Sequence, residues 1–373
     1  MTRNSIVISA VNLVEGGGLS VLVDCLTCLA RSSYVPKYRV VVLVNNRRKV
    51  PELSGIEYLE IPKAKKNYLY RIYYEYVHFY WISRKIRPTL WLSLHDMSPK
   101  VKAEVQAVYM HNPTPFYSPN KLTWIIAPLT AVWAYLYKYV YRINIHSNNY
   151  LIVQQQWLRE EFSKMFSVAK EKIIVARPVI HKIEKESKVA SFGSKARSFV
   201  FFYPSYPRVF KNFEVICEAA KLLDLEGITD FKVKLTIDGC ENKYSRYIYK
   251  TYKDLKTLEF IGLQPKSDMP ILYSNSDCLI FPSKLETWGL PLSEYQAYHK
   301  PILVANLPYA HESSEGADLV CFFNPDNAAE LAIRMKDVLL GDMSRFKSLV
   351  QSNPAAPYSE SWEGLYDILL GEH

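Results

Sequence analysis

The chain has 373 residues, of which 49% are hydrophobic and 22% charged, with a net charge of +9. That length exceeds one ordinary core and suits two domains of roughly 150–200 residues each, and the balance of apolar to charged residues excludes a disordered chain. The six cysteines are scattered, and the C-x-x-C of Cys25 and Cys28 has no second pair or nearby histidine to complete a zinc site. Its spacing matches one face of a helix, so the thiols read as buried and structural, in a reduced compartment.

The start, MTRNSIVISAVNL, lacks a basic region followed by a long apolar one, so a signal peptide is not expected and the chain reads as cytoplasmic. The segment 5–11 reads as a strand. Gly16, Gly17 and Gly18 form a glycine turn, and 19–30 has helical spacing. Strands are expected over 38–44 and 56–61, then one helix over 68–86. Short strands at 89–94, 106–110 and 150–153 and a helix opening at Trp157 complete the first half. The longest hydrophobic stretch, 124–137, contains Pro128 and falls short of the roughly 20 residues that cross a bilayer.

Residues 181–197 are charged and small, and read as a linker. The pattern then restarts. Strands are expected at 198–203, 231–237, 258–261, 278–281 and 301–304, and helices at 213–223, 269–274, 292–298 and 328–340. Strands that alternate with helices predict an α/β chain of two Rossmann-like doubly wound domains, 1–180 and 198–355, with residues 356–373 as a final helix. Ligands of such sheets lie beyond the carboxyl ends of the strands, which puts the expected site in the cleft between the domains.

Two segments combine aromatic and basic residues. Lys63, Lys65 and Lys66 precede the run 68–81, and Arg84, Lys85 and Arg87 follow it; a second such segment runs from Trp124 to Arg142. This composition suits either an anionic membrane surface or a solvated helix face. No nucleic-acid-binding motif is present, so nucleic acid is not an expected partner.

The segment FPSKLETWGLPLSEY, from Phe281 to Tyr295, carries the chemistry. A strand ends in Pro282 and Ser283, and a loop holds Glu286, Trp288 and Gly289. Pro291 suits a helix's first turn, where its missing N–H costs nothing. Backbone N–H groups at a helix start attract a diphosphate, and Gly289 permits close approach of the backbone. Glu286 before the helix and Glu294 within it can each accept hydrogen bonds from sugar hydroxyls. On the residues alone, the pair also fits plain compensation of a helix dipole. A separate loop after the strand 198–203, YPSYPRVFKN, carries Arg208 and Lys211, with Asn212 placed to cap the next helix.

This segment resembles the signature of retaining glycosyltransferase family 4, of the GT-B fold, in which two glutamates are seven residues apart in a run PS-x-x-E-x-[FW]-G-[LF]-P-x-x-E. The matching residues are Pro282, Ser283, Glu286, Trp288, Gly289, Leu290, Pro291 and Glu294. Phe260 to Leu263, Met269 to Asp277, Leu307, Pro308, Glu312 and Phe323 to Asp326 also resemble the family's pattern, which covers most of residues 198–345. The run Tyr295 to Lys300 departs from it, being bulkier than the small residues usual there.

The resemblance implies that Glu294 binds ribose hydroxyls, that Glu286 contacts the donor sugar, and that backbone N–H groups at Trp288, Gly289 and Leu290 face sugar and phosphates. Arg208 and Lys211 neutralise the departing diphosphate, Gly17 and Gly18 lie near the donor phosphates, and His111 contacts the donor sugar. His95 and Asp96 are further candidates, for the acceptor. No cofactor or metal is implied, since no Asp-x-Asp motif is present. The expected function is transfer of a hexose or deoxyhexose from a nucleotide-diphosphate sugar to a saccharide acceptor, lipid-linked, in surface polysaccharide or O-antigen synthesis. The alternatives are an epimerase or phosphorylase of the same fold, or a non-catalytic nucleotide-sugar-binding protein.

Overall fold

The computed structural model describes residues 4–178 and 198–371; the expected linker 181–197 lies outside them. Two sheets are present, and every pair of named strands within them is parallel. The first sheet contains β1 (Ser5–Ala10), β2 (Arg39–Val44), β3 (Ile56–Glu60), β4 (Leu90–Ser93), β5 (Val105–Tyr109), β6 (Tyr150–Val153), β7 (Ile173–Ala176) and, from the far end of the chain, β14 (Tyr358–Ser359). Its order is β14-β7-β6-β5-β4-β1-β2-β3. The second contains β8 (Phe199–Tyr203), β9 (Phe231–Leu235), β10 (Leu258–Phe260), β11 (Cys278–Phe281), β12 (Ile302–Ala305) and β13 (Val320–Phe323), in the order β10-β9-β8-β11-β12-β13.

The first sheet is apolar on both faces, as parallel strands covered by helices require. The two-residue period sends Ile6, Ile8, Val40, Val42, Leu90 and Leu92 to one face, against Leu22, Leu26 and Leu29 of the helix Gly16–Arg31. Val7, Val41, Leu43 and Trp91 go to the other, where Phe79 packs on Trp91 with ring centroids 5.6 Å apart. Register follows from this alternation: Val7 stands beside Val41 on one side and Trp91 on the other.

Several elements differ from the sequence expectation. The helix expected over 68–86 is broken into Tyr68–Tyr73, a π turn Tyr74–His78 and Phe79–Ile86. Glu75 in that turn is wholly buried. The glycines are not in a loop: Gly16, Gly17 and Gly18 form the first turn of the helix Gly16–Arg31. Strands β7 and β13 and the helix Lys243–Tyr252 have short or strongly aromatic sequences and are additional to the expected set.

Contacts divide the described residues into two units. One takes those within Met1–Pro115, Tyr135–Val179 and Pro354–His373, and the other those within Phe116–Ala134 and Ile180–Asn353. The second unit thus includes a piece of the chain's first half, the helix Lys121–Ile126 with the start of the helix Pro128–Arg142. The chain's end belongs to the first unit. There β14 pairs with β7, and Arg159 donates to the carbonyls of Ala355, at 2.6 Å, and Pro357. The helix Trp362–Leu370 buries Leu365, Tyr366 and Leu369 in the core that holds Leu22, Cys25 and Leu26. The Tyr366 hydroxyl lies 3.0 Å from Cys25 Sγ, and burial pushes that thiol up to about 12, so it is an inert core group.

This docking makes the last helix part of the first unit's core. Leu369→Ala is expected to cost about 2–5 kcal/mol in urea unfolding, the range for a truncated core leucine. Leu340→Ala, at an exposed position, is expected to change stability by less than about 0.5 kcal/mol.

Candidate functional site

In the second unit, β8 and β11 are neighbours in the sheet, so their following loops are brought side by side. They are stitched together by hydrogen bonds. Lys284 N donates to the Phe210 carbonyl at 2.7 Å, and the Tyr203 hydroxyl donates to the Lys211 carbonyl at 2.8 Å. Asn212 has a left-handed backbone, φ 59°. Its side chain does not cap the helix Phe213–Leu225 as the sequence suggested. Its buried amide donates instead to the carbonyls of Pro282, at 3.2 Å, and Pro325, at 2.7 Å. The Tyr309 hydroxyl adds a bond to the Ser283 carbonyl at 2.7 Å.

The stitching sets Lys211 Nζ 2.5 Å from Glu286 Oε1, with the two side chains only 17% and 12% exposed. The hydroxyls of Tyr203 and Tyr309 are held in their neutral form, first by burial and then by the nearby Glu286 charge. Glu294, in the helix Leu290–Gln296, accepts from the Tyr273 hydroxyl at 2.7 Å. Burial and this carboxylate hold the Tyr273 proton firmly in place, so the tyrosine is a fixed donor that orients Glu294. Nothing in the sequence tied Tyr273 to Glu294; the contact depends on how two helices of the unit pack.

Gly289 precedes this helix with φ 86°, and a Cβ there would lie 3.3 Å from Phe281 Cε1. No side chain caps the helix start, where Pro291 has no N–H and Leu292 N donates to the Gly289 carbonyl at 2.9 Å. Trp288 is buried, donates from Nε1 to Ser293 Oγ at 2.9 Å, and accepts on its carbonyl from Ser313. Its indole is therefore a structural anchor, and its backbone is the part that can serve a ligand. Leu290 is exposed.

Arg208 goes elsewhere. Its guanidinium lies 5.7 Å from the ring centre of Tyr206 and lines a cavity with Ile126, Thr130, Asn242 and Lys243. None of Lys211, Glu286 and Glu294 lines that cavity. The two cations expected to act as a pair are three apart in sequence and point to different places.

In the first unit, Gly17 and Gly18 open a 16-residue helix with no acidic residue in its first turn. A Cβ on Gly17 would meet nothing, whereas one on Gly18 would come 2.9 Å from Leu13 Cδ2. His111 follows β5, and its ring stacks on Tyr109 at 4.5 Å. Burial lowers its pKa and keeps it neutral, and among the described residues its buried Nε2 has no hydrogen-bond partner. Asp96, with φ 42°, fixes the backbone here: its Oδ1 accepts from His111 N at 2.6 Å, Asn112 N at 2.9 Å and the Tyr141 hydroxyl at 2.9 Å.

His95 is enclosed in the first unit. It is buried between Ser9 Oγ, 3.0 Å from Nε2, and Glu75 Oε1, 3.3 Å from Nδ1. Burial pushes Glu75 up to about 8 and, with help from Arg71, pushes His95 down to about 3, so the pair is neutral near pH 7.

Residues 184–351 match the family model of glycosyl transferases group 1. This is a glycosyltransferase, with a group 1 domain. The glycosyltransferase is similar to the O-antigen chain mannosyltransferase RfbU of Salmonella typhimurium, at 23% identity over 285 residues and 74% of each chain. In fold it is similar to Anabaena Alr3699/HepE in complex with UDP and glucose, with a TM-score of 0.62, 13% identity and 92% of each chain covered. It is also similar to WaaG, a glycosyltransferase involved in lipopolysaccharide biosynthesis, with a TM-score of 0.63, 14% identity, and 91% and 92% covered. The two parallel sheets are those of the GT-B fold.

The Glu75–His95 pair gives the glycosyltransferase a pH signature. Glu75 is raised above its unfolded value of 4.5, so its stabilising effect is complete below that value and is lost as pH rises through about 8. His95 is lowered from 6.5, so its contribution is complete above 6.5 and is lost as pH falls toward 3. Between 4.5 and 6.5 the two slopes oppose each other; from 6.5 to 8 only Glu75 acts, at about 1.4 kcal/mol per pH unit. Urea midpoints of the wild-type protein should fall over that upper window, and those of Glu75→Gln should stay level there. Equal slopes in the two proteins would show that Glu75 is not protonated in the fold.

Proposed function

We propose that this glycosyltransferase retains anomeric configuration and moves a hexose or deoxyhexose from a nucleoside-diphosphate sugar to a lipid-linked saccharide in surface polysaccharide or O-antigen synthesis. The observation that carries the donor part is the buried Lys211–Glu286 contact beside an uncapped helix start. The likeness to RfbU supports the O-antigen part, and the complex of HepE with UDP and glucose supports a nucleotide-sugar donor.

In this reading Glu294, held by Tyr273, accepts from the ribose hydroxyls, and Glu286 accepts from a hydroxyl of the transferred sugar. The bond from the anomeric carbon to the diphosphate oxygen breaks, which leaves negative charge on the diphosphate. Lys211 and the backbone N–H groups of Gly289 and Leu290 stabilise that charge, with Gly17 and Gly18 offering further N–H groups. The acceptor oxygen bonds to the anomeric carbon on the face the diphosphate leaves, and its proton passes to a diphosphate oxygen. Neutral His111 offers Nε2 to a sugar hydroxyl. Charge compensation rests on these groups, and no metal or other cofactor is assigned a part.

The exposed apolar residues Leu69, Ile72 and Trp81, beside Lys66 and Arg84, support contact with the inner face of the cytoplasmic membrane. No helix among the described residues is long and apolar enough to cross a membrane. Vesicles rich in phosphatidylglycerol should carry the protein in flotation at low salt and release it at about 0.5 M salt, where surface charge is screened. Failure to float at low salt would remove the membrane from this reading.

One nucleotide among GDP, UDP, dTDP and ADP should raise the melting temperature well above the others, because a ligand stabilises the state that it binds. With EDTA present, Glu294→Ala should weaken that nucleotide by about ten-fold or more, the loss of a charge-assisted hydrogen bond. Lys211→Ala should lower turnover more than affinity, since it acts on charge that grows as the bond breaks. Unchanged affinity and turnover in both variants would refute the donor assignment.

A further inference from the structure

The cavity that takes Arg208 away from the donor loops has a volume of about 330 Å³, within the range of ligand sites. Its floor is the start of the helix Lys243–Tyr252 and the loop Tyr206–Phe210. Its wall is the bend between the helices Lys121–Ile126 and Pro128–Arg142, through Ile126, Ala127 and Thr130. The wall is fixed in place. Tyr117 packs edge-on against Phe210 with centroids 5.8 Å apart, and its hydroxyl lies 2.7 Å from Thr123 Oγ1. Asn242 is fixed as well, since it caps its helix and donates to the Pro207 carbonyl at 2.6 Å.

The lining is positive and uncompensated. Arg208 and Lys243 are its charged members, no Asp or Glu lines it, and among the described residues neither cation makes an ion pair. The wall continues into an apolar face. Leu129, Val132, Leu136 and Tyr139 are exposed at the three-and-four spacing of one side of the helix Pro128–Arg142, and Ile125 in the helix before it is exposed as well. The whole segment 121–142 contains no acidic residue. A globular helix turns such a stripe inward; here it faces outward and leads to a positively charged cavity.

We propose that this cavity binds the phosphate end of the acceptor's lipid carrier, with Arg208 and Lys243 on the phosphate and the hydrocarbon laid along Ile125, Leu129 and Val132. The assignment rests on the lipid-linked acceptor of the proposed function, and it specifies where the carrier's phosphate sits. It also accounts for the divergence of Arg208 from Lys211: the two cations serve two different phosphates, one on the acceptor's carrier and one on the donor.

The test uses the full chain with farnesyl monophosphate, farnesol and inorganic phosphate as probes, in binding titrations. Farnesyl monophosphate should bind at least about ten-fold more tightly than either fragment, because the site pairs an ionic with an apolar contact. Lys243→Glu, at an exposed position, should weaken it by about ten-fold or more through like-charge repulsion. Ala127→Trp, which fills the cavity, should do the same. Nucleoside diphosphate affinity should be unchanged in Lys243→Glu. The proposal is overturned if the wild-type protein ignores farnesyl monophosphate, or if Lys243→Glu binds it as the wild type does. It is also overturned if phosphatidylglycerol vesicles displace the probe at matched phosphate, which would make the cavity a site for membrane headgroups. Loss of nucleotide binding in the wild type would refute the donor reading instead, whatever the lipid probes do.

Discussion

The contact between Lys211 and Glu286 depends on two loops being fastened together before any ligand arrives. Each charge is largely removed from water, a state that costs several kcal/mol unless the partner is held in good geometry. The fastening runs to backbone carbonyls: the Asn212 side-chain amide donates to those of Pro282 and Pro325, and Lys284 N donates to that of Phe210. The left-handed turn at Asn212 makes the bridge possible, because it aims a short amide back across the loop instead of along its own helix. The Lys211–Glu286 contact is therefore fixed by the fold itself.

The two units use buried polarity in opposite ways. The second unit holds Lys211 against Glu286 at its strand ends, where burial is partial. The first unit neutralises its pair, Glu75 and His95, because both are fully enclosed and an isolated charge there would be far more costly. His111 is likewise kept neutral by burial, and its Nε2, like His95 Nδ1 and both carboxyl oxygens of Glu75, has no hydrogen-bond partner among the described residues.

The surroundings of Arg208 and Lys211 also differ. A basic loop three residues apart reads in sequence as one clamp. In the structure, a short 3-10 turn, Val209–Lys211, lies between them and sends one side chain toward β11 and the other toward the helix Lys243–Tyr252.

Much was legible without coordinates. Alternating strands and helices identified two parallel sheets, because a two-residue or 3.6-residue apolar period is a local property of the chain. The run from Pro282 to Glu294 marked its own strand, loop and helix for the same reason, and the departure at Tyr295 to Lys300 left the strand, loop and helix order intact, with Tyr295 buried in the core. The partners of those residues were not legible. Tyr273 on Glu294, Asn212 on Pro282, Asp96 under His111 and Tyr366 on Cys25 join positions far apart in the chain, and no periodicity records such contacts. The π turn at Tyr74 was hidden too, since one added residue barely alters an apolar pattern yet decides that Glu75 faces the core. Sequence alone determined which backbone elements form and which residue types stand at the strand ends. The tertiary structure decided which of those groups are charged, which are spent on the fold and which are left for a ligand, because burial and hydrogen-bond geometry exist only once distant segments have packed.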